Sequence, residues 1–329
     1  MKPLISLLIL LISCFVSALV AIKHGAIDIN ASAVWQTLFA YDANVFEQKI
    51  VMELRIPRVV LAFVAGSGLA LAGIILQTVT RNPLADPYLF GISSGASFGV
   101  VLLITFTGIT AGWAMSGAAF LGSALAMTLL LLIAYGQRAR QVEAMLLAGV
   151  ALSFLFSAFT SLLLYWSDPQ AVSAIMFWNL GSFSRADWQW LWLPCSIVLF
   201  CMVCMLLYRR GLNALLLGDE SAATLGIQVA KLRLGMLLLS SLLTAVLVAM
   251  CGGIGFVGLM IPHLVRFFIS QATSIGLLCT ALSGGLMMIW VDLFARIILD
   301  NQELPIGVIT AAIGSVFFLT LLTLKQKRP

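Results

Sequence analysis

Residues 56–79 read IPRVVLAFVAGSGLALAGIILQTV, and after Arg58 no ionisable side chain occurs until Arg81. A helix needs roughly 20 consecutive apolar residues to cross about 30 Å of hydrocarbon, and this stretch is long enough. It is apolar on every side rather than along one stripe. In lipid each backbone N–H and C=O has to be satisfied within the protein, so a span is either a helix or a strand of a closed barrel. Barrel strands alternate polar and apolar over about 10 residues. No such alternation exists here, and the stretch reads as a transmembrane helix.

The same signature recurs along the chain. Apolar stretches fall near 4–22, 56–79, 92–110, 113–135, 142–166, 188–208, 232–251, 254–270, 273–299 and 304–324, which gives ten candidate spans. Apolar residues make up 62% of the 329 and charged residues 9%, where a soluble domain carries about a quarter charged. The expected fold class is therefore all-α, a polytopic membrane protein of ten transmembrane helices, with residues 1–329 forming one transmembrane domain. The first stretch follows Lys2 and has signal-peptide features, but the polytopic remainder favours a retained span. The eighth stretch is short and carries Pro262, His263 and Arg266. Merged with the seventh across Cys251-Gly252-Gly253-Ile254-Gly255, it would leave nine spans.

Charge separates the two counts, because Lys and Arg accumulate on the cytoplasmic side. Ten spans with the N-terminus inside place 12 basic and four acidic residues inside, a net of +8, against six basic and nine acidic outside, a net of −3. Nine spans would put Lys325, Lys327 and Arg328 outside. The even count, with both termini cytoplasmic, is the expectation. On the acidic outer side the bases are Lys23, Lys49, Arg55, Arg58, Arg185 and Arg296.

Function classes narrow by what is missing. No G-x-x-x-x-G-K-[ST] phosphate loop occurs, so ATP hydrolysis by that route is excluded for this chain. No nucleophile, base and orienting acid stand out. Cys201 and Cys204 have C-x-x-C spacing but lie in an apolar stretch without a neighbouring His or acid, and read as packing residues. Two histidines, His24 and His263, are too few for a histidine metal centre. Ion-coupled transporters keep ionisable groups within their spans, and here the clearest is Asp292, four residues before Arg296. That spacing suits an ion pair near the outer face as well as a coupling site.

Several stretches have room for function. Small residues at four-residue spacing (Gly91, Gly95, Gly99; Gly66, Ala70, Gly73; Gly307, Ala311, Ser315) allow close helix approach. Gly149, Ser153, Ser157 and Ser161, with Thr160 alongside, form a mildly polar stripe on the fifth span, suited to a water-filled path or to interhelical packing. Pro83 and Pro87 disfavour helix before them, so residues 81–91 are an ordinary loop, or irregular backbone that lines a cavity or is buried in protein. Leu217-Gly218-Asp219-Glu220-Ser221-Ala222-Ala223-Thr224-Leu225-Gly226-Ile227 reads as a short helix with an acidic start, a glycine break and a second short piece. Its leucines are apolar surface for a soluble partner, or one face of a surface-lying amphipathic turn.

Taken in order, Leu54-Arg55-Ile56-Pro57-Arg58, Asn82-Pro83-Leu84-Ala85-Asp86-Pro87, Gly91-Ile92-Ser93-Ser94-Gly95-Ala96, Leu147-Ala148-Gly149, Leu217-Gly218-Asp219-Glu220-Ser221-Ala222, Gly255-Phe256-Val257-Gly258-Leu259-Met260-Ile261-Pro262-His263 and Glu303-Leu304-Pro305-Ile306-Gly307 carry a resemblance. Over nearly its full length the chain resembles FecCD-type permeases of binding-protein-dependent ABC importers for iron-siderophore, haem and cobalamin. The resemblance implies a type II ABC importer permease fold in a bacterial inner membrane. It implies a second permease copy, two cytoplasmic ATPase subunits that bind ATP and Mg, and a periplasmic binding protein. No cofactor is implied in this chain, nor any nucleic-acid partner. Leu217, Gly218, Asp219, Glu220, Ser221, Ala222, Leu225 and Gly226, within coupling helices at about 212–229, would dock on the ATPase. Arg55, Arg58 and Arg296 would meet glutamates of the binding protein. Leu89, Phe90, Gln141, Val142, Glu143, Ser153, Ser157, Thr160 and Ser161 would line the pathway and its gate. The substrate expected is an iron chelate, with cobalamin or an oxyanion such as molybdate as alternatives. An ion-coupled secondary transporter is the competing class.

Overall fold

The computed structural model describes residues 2–25, 27–136, 142–270, 273–299 and 302–326; for Lys2, Leu89 and residues 134–136, 142–143 and 324–326 it describes the backbone alone. Every regular element among them is helical. The long helices are α1 (Lys2–Lys23), α4 (Ile56–Thr80), α5 (Ile92–Thr107), α6 (Gly112–Gly136), α7 (Val142–Trp166), α9 (Trp188–Leu216), α11 (Val229–Cys251), α13 (Ser274–Ile297) and α14 (Ile306–Gln326). Shorter ones are α2 (Ala31–Phe39), α3 (Phe46–Lys49), α8 (Pro169–Asn179), α10 (Asp219–Thr224) and α12 (Val257–Arg266). A π-helical turn, Ile50–Arg55, joins α3 to α4.

The stretch quoted first becomes α4, the central helix. It is buried on nearly all sides, whereas α7 and α14 are the least buried of the long helices. Around α4 pack α13, α11, α9 and α12. Its small residues make this possible: a Cβ on Gly66 would overlap the carbonyl of Gly284 in α13, and one on Gly73 would overlap the carbonyl of Gly258 in α12. Without a hydrophobic force between helices in lipid, such backbone proximity supplies the dispersion contacts that hold them together.

Among the described residues eight helices are long and apolar enough to cross a membrane. The third and eighth expected spans are shorter, α5 with 16 residues and α12 with 10. At 1.5 Å per residue, α12 covers roughly half the hydrocarbon. The chain leaves α11 through left-handed Gly252 (φ 74°) and passes left-handed Phe256 (φ 69°) before helix resumes. The stretch 254–270 is thus an extended entry, a half-length helix and a turn.

Buried irregular backbone needs partners, and here one irregular segment supplies an acceptor to the other. Residues 82–86 are non-helical and lead into a 3₁₀ turn, Pro87–Phe90, whose Tyr88 N–H donates to Asp86 Oδ1 at 2.8 Å. The Tyr88 hydroxyl accepts the N–H of Ile254 at 2.8 Å. Ala85, Asp86, Pro87 and Phe90 are all buried. Of the readings open for residues 81–91, Ala85, Asp86, Pro87 and Phe90 fit irregular backbone buried in protein, while residues 81–84 are exposed, as an ordinary loop would be.

Two boundaries differ from the sequence reading. The sixth span does not stop at residue 208: α9 continues past Arg209 and Arg210 because Leu212, Ala214 and Leu215 are buried. The second short piece expected after Gly226 (φ 79°) is simply the start of α11 at Val229. The region 212–229 therefore holds one short helix of its own, α10.

Candidate functional site

Two charged clusters sit at opposite ends of α4. At the Arg58 end, Asp292 of α13 is fully buried. It accepts Arg58 Nε at 2.8 Å and pairs with Arg296 Nε at 3.1 Å. Arg58 also grips Glu303 with both terminal nitrogens, at 2.7 and 2.9 Å. This forked geometry is what a guanidinium offers and an ammonium does not. Arg296 reaches the carbonyls of Ala21 and His24, at 3.1 and 3.3 Å. Arg55 donates to the carbonyls of Ile22 and Lys23, both at 2.7 Å, and to Ile27.

The carbonyls of Ala21, Ile22 and Lys23 are the end of α1, and those of His24 and Ile27 follow it. The last C=O groups of a helix have no intrahelical donor, and cations stabilise its negative end. Arg55 and Arg296 therefore tie α1 to α4 and α13, and Asp292 ties Arg296 to Arg58. The three arginines are 7%, 11% (side chain) and 8% exposed. In this arrangement their donors are committed within the chain, and Glu303, with a side chain 47% exposed, forms the accessible rim. The Asp292–Arg296 pair at i, i+4 is present, as the spacing implied, and it takes in Arg58 from a residue 234 positions away.

At the other end, Asp219 opens α10. Its Oδ1 receives Arg81 at 2.8 Å and Arg233 at 2.8 Å, and Arg233 also reaches Oδ2 at 3.0 Å. Arg81 is the left-handed cap of α4 (φ 52°), and Arg233 lies in the first turns of α11. One carboxylate thus pins a six-residue helix to the ends of two long ones. Ala222 is buried beneath α10. Leu216, Leu217 and Leu225 stand 50%, 69% and 65% exposed, while Glu220, Ser221 and Gly226 are also exposed. The loop presents apolar side chains on a charged mount.

The residues assigned to the pathway separate. Phe90 is buried at 3% exposure. Ser157 and Ser161 are exposed on α7, and Ser153 is half-buried with its hydroxyl on the Gly149 carbonyl at 2.9 Å. Thr160 turns inward, and its buried Oγ1 finds no partner among the described residues. Gln141 lies outside the described residues, as do the side chains of Leu89, Val142 and Glu143. Sequence reasoning missed Tyr88, Arg81, Arg233 and Glu303 as structural partners. Only the i, i+4 pair carried a local signal; the others join residues 14 to 245 positions apart.

Comparison with known proteins adds to this geometry. The family model described as the FecCD transport family matches residues 9–324. The hemin transport system permease protein HmuU of Yersinia pestis is 36% identical, covering 99% of this chain and 97% of its own. The molybdate import system permease protein MolB of Haemophilus influenzae is also 36% identical, covering 99% of this chain and 96% of its own. An inward-facing structure of an ABC transporter assigned to the metal-chelate type superposes with a TM-score of 0.85 at 34% identity, over 96% of this chain and 98% of that one. A buried central helix, packed through glycine and joining a charged clasp to a short, arginine-pinned helix, is thus set in a type II ABC importer permease fold, and the chain belongs to the FecCD transport family as a multi-pass permease subunit of an ABC importer.

Proposed function

We propose that this permease carries an iron chelate, a siderophore complex or haem, from a periplasmic binding protein to the cytoplasm. Two identical copies form the channel, and two cytoplasmic ATPase subunits drive it. The Arg81 end faces the cytoplasm, both termini lie there, and the membrane is the bacterial inner membrane. The observation that carries the substrate reading is the chemistry of α7. From Ala144 to Trp166 it holds hydroxyls and no Asp, Glu, Lys, Arg or His. An oxyanion passing along it would find no cation, and among the described residues no group of three or more His, Cys, Asp or Glu stands together to take a bare metal ion. A large chelate, whose metal is already coordinated, needs only shape and weak hydrogen bonds.

Coupling follows from the Arg81 end. ATP binding draws the ATPase subunits together and moves α10, seated by Leu217 and Leu225. Asp219 passes that displacement to α4 through Arg81 and to α11 through Arg233. The permease halves rock, and the exposed α7 faces of the two copies open on alternate sides. At the Arg58 end the binding protein sits on the rim formed by Glu303 and the edge of Arg58, with Arg55 and Arg296 beneath it.

Reconstitution of the permease, its ATPase and its binding protein in liposomes tests the reading. Labelled ferric chelates, haem, cobalamin and molybdate are offered with and without ATP. ATP-dependent accumulation of a ferric chelate or haem is expected. Selective molybdate or cobalamin uptake would move the assignment within the family, and uptake by the permease alone without ATP would remove the coupling scheme.

A further inference from the structure

Between Asp28 and Asp42 the chain carries no Asp, Glu, Lys, Arg or His, and α2 (Ala31–Phe39) fills most of that interval. At 3.6 residues per turn, its side chains divide among three faces. Ala33, Val34 and Thr37 are buried. Trp35, Leu38 and Phe39, spaced i, i+3 and i+4, are 49%, 43% and 82% exposed. Ser32 and Gln36, spaced i, i+4, are polar and exposed. The rings of Trp35 and Phe39 stack with centroids 5.8 Å apart. A helix on the surface of a soluble protein has one apolar stripe and turns it to the core. In α2 the core takes one face, a second apolar face stands exposed beside it, and a polar strip completes the circle.

The buried face fixes where the exposed one lies. Ala33 and Val34 pack with Ala21 and Ile22 of α1, Val51 of the π-helical turn and Val59 of α4. These are the ends of two long helices, so α2 lies level with them. Next to it the outward side of α1 is apolar and open, with Leu8, Ile12 and Phe15 exposed, as a span turned to lipid requires. Trp113 opening α6, Trp166 closing α7, and Trp190 and Trp192 opening α9 are exposed at the same end of the molecule. Trp188 Nε1 donates to the Met52 carbonyl at 2.7 Å, which sets the start of α9 beside the turn that leads into α4. Tryptophan collects where its ring can sit at headgroup level. A soluble protein docking on α2 would find no charge there to steer or select it.

We propose that α2 lies in the membrane plane at the Arg58 end, with Trp35, Leu38 and Phe39 set in the boundary between lipid headgroups and acyl chains. The Ser32–Gln36 strip faces water, and the Ala33–Thr37 face rests on the ends of α1 and α4. An interfacial amphipathic helix sits about 5–10 Å into that boundary. Lipid then anchors the segment that directly follows the carbonyls of Ile22, Lys23 and Ile27, which Arg55 holds. The inference is independent of which substrate is carried. It needs only that the chain cross a bilayer.

The test uses the full chain in vesicles of phosphatidylethanolamine and phosphatidylglycerol. Phe39→Cys and Gln36→Cys are each labelled with a nitroxide, and the parent treated with the same label supplies the background from its own cysteines. Collision of the label with molecular oxygen, which partitions into acyl chains, is compared with collision with a water-soluble nickel chelate. The oxygen-to-nickel ratio should be several-fold higher for Phe39→Cys than for Gln36→Cys. Equal, nickel-dominated ratios put the whole helix in water and overturn the proposal. Shielding of the Phe39→Cys label from both reagents assigns the face to a second copy of the chain and overturns it as well. A ratio that collapses when the binding protein is added gives the face to that partner and overturns the lipid. Trp35→Phe supplies an independent reading that holds even if Phe39→Cys fails to insert. The tryptophan emission lost in that variant should be quenched in the parent by lipids brominated near the headgroup and spared by aqueous acrylamide; the reverse pattern defeats the proposal.

Discussion

Replacing Arg58 by alanine separates two roles for the outer arginines. Asp292 is fully buried and shared between Arg58 Nε at 2.8 Å and Arg296 Nε at 3.1 Å. Removing one partner of a buried pair leaves a charge without full compensation, which costs about 3–5 kcal/mol. Glu303 adds little, because its side chain is 47% exposed and solvent-screened pairs are worth at most ~1 kcal/mol. Arg58→Ala should therefore destabilise the permease by about 3–5 kcal/mol, nearly all of it through Asp292. The assay is unfolding in mixed micelles against increasing SDS, followed by helix signal and tryptophan emission. Adding Asp292→Asn to Arg58→Ala removes the stranded charge, so the double variant should recover part of the loss. A cycle of the two singles and the double isolates the pair term. Association with the binding protein is measured on the same samples. If Arg58→Ala stays within about 1 kcal/mol of the parent yet loses binding-protein association more than tenfold, Arg58 is a docking group and the clasp is not structural.

Three further expectations follow from the packing and the inner cluster. Leu225→Asp should abolish co-purification of the ATPase, whereas Asp219→Ala should keep the ATPase bound and hydrolysing while transport falls at least tenfold; unchanged transport in Asp219→Ala would show that the two arginine contacts carry no motion. Gly66→Val should prevent stable folding because its side chain meets the Gly284 carbonyl, while Gly117→Ala, with open space at its Cβ, should behave as the parent; equal tolerance of both in a thermal-melt comparison removes the close-packing argument for α4. Burial holds the Asp86 carboxyl up at about 6, above the ordinary 3.8. A folded-state value above the unfolded one gives stability that is full below about pH 4 and lost as pH rises through about 6. The melting temperature should fall between pH 5 and pH 7 and do so less in Asp86→Asn; superimposable pH profiles would dissociate Asp86 from the effect.

How much of this was legible depends on how local each cause is. The apolar runs were legible because a span is dictated by its own residues: nothing else in lipid can satisfy the backbone from Val59 to Thr80. The α10 segment was legible for the same reason, since Gly218, Asp219 and the exposed leucines are neighbours in sequence. The end of α9 was not. Arg209 and Arg210 look like a membrane boundary, and what continues the helix is burial of Leu212 and Leu215 against other elements. The half-length of α12 was hidden similarly, because residues 254–256 are spared a helix by Tyr88, 166 positions earlier. Arg55, Arg58 and Arg296 show the limit best. Sequence placed them correctly at one end of the molecule by charge statistics, which count residues per side and say nothing of exposure. Their partners are carbonyls at and just beyond the end of α1, the Asp292 carboxylate on α13 and the Glu303 carboxylate, and no spacing rule links those positions. A cation on an acidic face reads from sequence as something offered to a partner. Here the helix end that Arg55 and Arg296 neutralise is already inside the protein, so a binding protein docking at this end would meet Glu303 and the edge of Arg58 first and reach Arg55 and Arg296 only by loosening α1.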